Sequence, residues 1–142
     1  MFDRSTCTIL LVEDNALDAD LIRHAIPGGE APINFDVARD GEEALLYLKR
    51  WEQGTPTPIV ILLDLNLPKL SGLEVLNVLK THPRYKILPI VVLTSSNLPD
   101  DIQKAYEFGV NSYILKSIDY DQFSKAVGLI YRYWCGLNVH PE

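Results

Sequence analysis

No apolar stretch in this chain approaches the ~20 residues of a membrane span, and its start lacks the basic flank and apolar segment of a signal peptide. A cytoplasmic protein with no membrane partner is the expectation. Cysteine is scarce. Cys7 and Cys135 stand at opposite ends with no C-x-x-C or Cys/His spacing, which fits free thiols with a structural role, or none, better than a disulfide framework or redox function. Clustered basic charge is missing too. The formal charge is −6, and a nucleic-acid binder draws its affinity largely from Lys and Arg that neutralise phosphates, which argues against direct nucleic-acid binding. There is no Gly/Ser-rich or Pro-rich linker, no internal repeat and no second composition regime.

What is present is a single domain's worth of alternating apolar runs and amphipathic stretches. A chain of 142 residues can bury roughly two-thirds of the surface that its unfolded form exposes. Residues 1–135 are read as the domain and 136–142 as a tail, with no separate effector domain. Thr8–Val12, Asn34–Ala38, Ile59–Leu63, Ile90–Leu93 and Ser112–Leu115 read as strands; Ile59–Leu63 is the most uniformly apolar and so the central one. The second alternates polar and apolar, as an edge strand does. The first helix is read as Ala16–Ile26 with Leu17, Leu21 and Ala25 on one face, ended by Pro27-Gly28-Gly29. Asp40-Gly41-Glu42-Glu43 opens the second as an acidic capping box, and Trp51–Pro58 is read as loop. Ser71-x-x-Glu74 caps the third, Asn97 the fourth, which runs through Phe108 to a Gly109 stop. The last runs from Asp119 to about Trp134, with Phe123, Val127, Ile130 and Trp134 on its buried stripe.

Strands alternating with helices, joined by right-handed crossovers, predict a five-stranded parallel sheet covered on both faces. Order 2-1-3-4-5 is the common solution, and it brings the first and third strands together at the switch point, where such sheets build sites. Glu13, Asp14, Asp64, Thr94 and Lys116 each follow a short apolar run, so all five fall on that edge. Three carboxylates, a hydroxyl and an ammonium converging there suggest a metal-assisted phosphoryl site. Each alone has an ordinary explanation: Asp14 or Asn15 as a helix cap, Lys116 as a surface charge, Thr94 as a turn hydroxyl, Tyr113 as packing. Their combination at matching strand ends is the signal. His24, His82 and His140 have no ligand spacing.

The residues Val12-Glu13-Asp14-Asn15, Leu63-Asp64-Leu65-Asn66-Leu67-Pro68 with Gly72, Leu93-Thr94-Ser95 and Tyr113-x-x-Lys116 resemble the receiver domains of two-component response regulators, over essentially the whole chain. The resemblance implies an α/β, flavodoxin-like, doubly wound sheet with five helices. It also implies that Asp64 accepts a phosphoryl group from a sensor histidine kinase, with Lys116 and Thr94 assisting. The metal would be Mg²⁺, held by Glu13, Asp14, Asp64 and the backbone carbonyl of Asn66; a hard cation suits such a cluster, whose carboxylates could not all stay ionised without one. Thr94 and Tyr113 would form the switch. No turnover of an external substrate is expected, only the domain's own phosphorylation and dephosphorylation.

One departure is that Lys116 precedes Ser117, where the family usually has proline and commonly a cis bond. A non-proline cis bond costs about 3 kcal/mol, so this bond is expected to be trans. That departure, the free-standing domain, Leu65-Asn66-Leu67-Pro68-Lys69 and the aromatic tail are similar to the single-domain regulators paired with bacterial and cyanobacterial phytochromes. A phytochrome-type kinase partner follows from that likeness.

Three other classes meet objections in the residues. A flavodoxin-like electron carrier needs small hydroxylated and Gly residues where Glu13-Asp14 stand, and these acids would repel a flavin phosphate. An aspartyl-phosphate hydrolase wants an acid two residues after the nucleophile, where Asn66 stands. A phosphorylation-independent interaction module leaves the filled site unexplained. On the last helix, residues from Phe123 to Trp134 give an apolar arc of roughly 200°, about twice what one sheet face needs. A homodimer through the fourth helix, fifth strand and fifth helix is therefore expected.

Overall fold

The computed structural model describes residues 7–26 and 33–141. The elements are β1 (Cys7–Val12), α1 (Ala16–Ala25), β2 (Ile33–Ala38), α2 (Gly41–Glu52), β3 (Val60–Leu63), α3 (Gly72–Thr81), a 3-10 turn (Tyr85–Ile87), β4 (Ile90–Thr94), α4 (Pro99–Glu107), β5 (Ser112–Leu115), α5 (Tyr120–Tyr131) and a π-helical turn (Arg132–Leu137). All strand pairs are parallel, in the order β2-β1-β3-β4-β5. The least apolar strands, β2 and β5, are the two edges.

Strand side chains alternate between two cores, as the two-residue period of a strand requires. Leu10, Val12, Ile61, Leu63, Ile90 and Val92 pack against α2, α3 and α4, while Ile9, Leu11, Val60, Leu62, Val91 and Leu93 pack against α1 and α5. Burial on both faces is what makes β3 wholly apolar and β1 and β4 apolar but for Thr8 and Thr94.

Helix starts follow their caps. Asn15, Asp40, Ser71 and Asp119 each accept a hydrogen bond from the backbone N–H three residues on. At α4 the reading differs. Leu98, not Asn97, is the cap residue, and Pro99 starts the helix without a side-chain cap, because proline's fixed φ already suits the first helical position.

Three other expectations are corrected. Trp51 and Glu52 belong to α2 rather than to a loop, because the Trp51 ring is buried against Tyr47 and Tyr85 and extends the helix's apolar face. Leu17 is 67% exposed; Leu21 and Ala25 do pack against the core, but the fully buried position of the first helix is Ile22, since the sheet meets it one residue further round. Trp134 is only half-buried, and Cys135 takes the core place after Ile130. The π turn adds about one residue to the spacing, which rotates the stripe by one position. The expected stop at Pro27-Gly28-Gly29 lies outside the described residues.

Candidate functional site

The crevice begins with strand register. Val12 pairs with Leu63 and Ala38, and the ladder runs one step further through the N–H of Glu13 to Ala38 and the N–H of Asp64 to Val12. Glu13 and Asp64 therefore leave neighbouring strands at the same level. On the far side β4 pairs with β5, and the Lys116 N–H donates to the Thr94 carbonyl at 2.8 Å. All five residues read from the sequence thus stand on one edge of the sheet.

The side chains meet there as well. Carboxylate oxygens of Glu13, Asp14 and Asp64 lie within 4.8 Å of one another, with Glu13 and Asp64 buried and Asp14 exposed. The cap of α1 is Asn15, which leaves Asp14 out of that role. Oxygen donors at this spacing fit a hard divalent cation. Asn66 is exposed in the loop after β3, and its N–H donates to Asp64 Oδ1 at 3.3 Å.

Lys116 Nζ donates to Glu13 Oε1 at 2.5 Å, Asp18 Oδ2 at 2.9 Å and Asp64 Oδ2 at 3.3 Å. One ammonium cannot balance this many acids. Burial is the main influence raising the Glu13 carboxyl, to about 7; the Lys116 hydrogen bond opposes it, and the Asp64 charge adds to it. Burial also works against the Lys116 charge, but the hydrogen bonds that the ammonium donates to Glu13 and Asp18 outweigh it and hold the lysine above its ordinary range. The lysine stays charged, and near neutral pH Glu13 is the acid that shares a proton.

Asp64 is fixed by the loop behind it. The Gly72 N–H donates to the Leu65 carbonyl at 3.0 Å, and a Cβ on Gly72 would fall 2.2 Å from the Asp64 carbonyl oxygen. Only glycine permits that approach.

Thr94 is fully buried at the end of β4, and Ser96 carries the connection outward. The Ser96 N–H donates to Thr94 Oγ1 at 3.4 Å, its hydroxyl to Asp101 at the start of α4, and its carbonyl accepts from the half-buried Tyr113 hydroxyl at 2.7 Å. Thr94 and Tyr113 do not bond directly; Ser96 lies between them.

Sequence reading missed Asp18 and Ser96. Asp18 sits one turn along α1 from Asp14, so helical spacing carried a signal for it. Ser96 carried none beyond its place after Thr94. The three histidines bond to backbone groups away from the crevice. No peptide bond among the described residues is cis, so Lys116–Ser117 is trans. Among the described residues no helix is long and apolar enough to cross a membrane.

Comparison with known proteins matches residues 9–128 to the response regulator receiver domain. The chain is 42% identical over 134 residues to the probable methanogenesis regulatory protein FilR2 of Methanothrix harundinacea, covering 94% of this chain and 86% of that protein. It is 39% identical over 128 residues to the response regulator Rcp1 of Synechocystis, covering 89% and 87%. The Mn²⁺-bound structure of Rcp1 superposes with a TM-score of 0.88 at 37% identity, covering 96% of this chain and 99% of that one. The phosphorylated cyanobacterial phytochrome response regulator RcpA superposes with a TM-score of 0.91 at 40% identity, with the same coverage.

Proposed function

The chain belongs to the response regulator receiver domain family, and from that premise we propose that it is a phosphorylatable switch whose acceptor is Asp64. A histidine kinase's phosphohistidine is the donor. An Asp64 carboxylate oxygen attacks phosphorus, the P–N bond to the donor imidazole breaks, and an aspartyl phosphate forms. The observation that carries this reading is the Lys116 ammonium 3.3 Å from Asp64 Oδ2, with the carboxylates of Glu13 and Asp14 beside it.

Glu13, Asp14, Asp64 and the Asn66 backbone carbonyl are the groups proposed to hold Mg²⁺. When bound, the cation neutralises the pocket and offsets charge on the transferring phosphoryl oxygens. Lys116 holds another of those oxygens. Thr94 then donates its hydroxyl to the phosphoryl group, and through Ser96 the pull reaches Tyr113 on β5 and Asp101 on α4. Phosphorylation with Mg²⁺ and a small phosphodonor should label the chain, and Asp64→Asn or chelation should abolish the label. Undiminished label in Asp64→Asn, mapped elsewhere, would sink the assignment.

Output passes through protein contact. Support comes from a shallow groove lined by Ile114, Ala126, Leu129, Ile130, Tyr133 and Trp134, beside exposed Leu115 and Leu137. Apolar and aromatic groups continuing outward from β5 and α5 suit a symmetric homodimer on the α4-β5-α5 face. A phytochrome-type kinase is the proposed donor, supported by the likeness to Rcp1 and RcpA. Phosphotransfer profiling against a panel of sensor kinases tests this; transfer only from kinases without a light-sensing module would refute it. The proposed location is the cytoplasm, with residues 136–142 as a tail to the domain.

A further inference from the structure

Cys7 opens β1 and Cys135 lies in the π-helical turn beyond α5, yet their Sγ atoms are 2.7 Å apart. Both are free, and both are buried at 3% and 8% exposure. They share an apolar core with Ile9, Ile59, Phe123 and Ile130. Cysteines often pack simply as small apolar groups, but such packing requires only van der Waals contact. This separation is inside that contact and only about 0.65 Å beyond a sulfur–sulfur bond. The π turn makes the meeting possible, because it sets Cys135 in the core place a regular helix would have given Trp134.

We propose that Cys7 and Cys135 are a modification site, closing to an intramolecular disulfide under peroxide and fastening the C-terminal helical turn to β1. The Cys7 thiolate attacks one peroxide oxygen and the O–O bond breaks, giving a sulfenic acid and, after proton uptake, water. The Cys135 sulfur then attacks the sulfenic sulfur, forming the S–S bond and releasing a second water with the thiol proton. Two thiols are oxidised and one peroxide is reduced. The roles are unequal for a physical reason: the contact with Cys135 lowers the Cys7 thiol, while that contact and burial raise Cys135. Access requires a local opening of the turn beyond α5.

The bond would leave the acidic crevice in place, since Cys7 begins the strand that Glu13 follows. It would pin the turn carrying Tyr133 and Trp134, which border the groove on α5. The closed loop also spans nearly the whole chain, so the unfolded ensemble would be strongly restricted.

The test uses the full chain, reduced and then exposed to about equimolar hydrogen peroxide in native buffer. Expected are loss of two hydrogens by intact mass, no titratable thiol after denaturation, a Cys7–Cys135 linked peptide, and a Tm raised by roughly 5–15 °C. A thiol reductant should reverse all four. Cys135→Ser should instead accumulate a Cys7 sulfenic acid trapped by dimedone. Two surviving thiols, links only between separate chains, or added oxygen without the Cys7–Cys135 peptide would overturn the proposal.

Discussion

Lys116 Nζ and Asp18 Oδ2 lie 2.9 Å apart, joining the residue after β5 to the first turn of α1 across 98 positions of sequence. Asp18 is the outermost of the three acids on this lysine, its side chain 31% exposed against 1% for Glu13 and 7% for Asp64. If Lys116 holds the phosphoryl group as proposed, that group would compete with Asp18 for the ammonium. Asp18→Asn should tighten binding of beryllofluoride, a phosphoryl analogue, by roughly two- to fivefold, the worth of a partly exposed pair of ~0.5–1 kcal/mol. Lys116→Met should weaken it. A weaker complex in Asp18→Asn, read by Trp fluorescence titration, would show that the pair positions Lys116 rather than competing for it.

Metal binding should be proton-linked. With its carboxyl raised from 4.5 to about 7, metal-free Glu13 keeps a proton that the unfolded chain gives up near 4.5. Its contribution to stability is therefore full below about 4.5 and is lost as pH rises through about 7. A cation needs the carboxylate, so affinity for Mg²⁺ should climb by close to tenfold per pH unit below neutrality and level off above about 7. Calorimetry in buffers of different ionisation enthalpy would detect the released proton. Glu13→Gln should remove this dependence; the same slope in that variant would place the proton on another group.

Two glycines should respond to alanine in opposite directions. Gly72→Ala drives a Cβ into the backbone of Asp64 and Leu65, at 2.2 Å and 2.5 Å, so the loop that sets Asp64 must move. The expected cost is about 1–3 kcal/mol in urea unfolding, with a larger proportional loss of phosphorylation. Gly128, inside α5, has nothing within 4 Å of a Cβ. Gly128→Ala should stabilise the helix by up to ~1 kcal/mol. Equal phosphorylation in Gly72→Ala and the parent would mean that the loop tolerates the shift.

Switching should fail before chemistry does when Thr94 is truncated. Thr94→Ala retains Asp64, Lys116 and the acids, so it should still be phosphorylated, but no hydroxyl remains to link the phosphoryl group to Ser96 and Tyr113. The NMR signals of the Tyr113 ring should move on phosphorylation of the parent and stay in place in the variant. Identical movement in both would remove Thr94 from the coupling.

The dimer proposal places Leu129, 65% exposed, and Tyr133, 47% exposed, in the contact. Leu129→Glu should yield a monomer by sedimentation at micromolar concentration, with its thermal stability within about 0.5 kcal/mol of the parent because the position is solvent-facing. A parent already monomeric, with and without beryllofluoride, would exclude this face as a self-association surface.

Much of the site was legible because its signals are local. A strand buried on both faces must be apolar along its length, so Leu62-Leu63 ending in Asp64, or Leu11-Val12 in Glu13-Asp14, marks a strand end without knowledge of neighbours. Parallel pairing then sets all such ends on one edge, which is why Glu13, Asp14, Asp64, Thr94 and Lys116 could be grouped from their order alone. Caps such as Asn15, Asp40, Ser71 and Asp119 are equally local, since side chain and N–H are three residues apart. Packing geometry decided the rest. The one-residue rotation that buries Ile22 and exposes Leu17 depends on where the sheet meets α1. The fourth acid, Asp18, matters only because β5 delivers Lys116 to it, and Ser96 links Thr94 to Tyr113 only because β4 and β5 lie side by side. Cys7 and Cys135, 128 positions apart, meet through a π turn with no counterpart in the residue pattern. Local periodicity records which face of an element is buried, whereas contacts between distant residues depend on how those faces are finally docked.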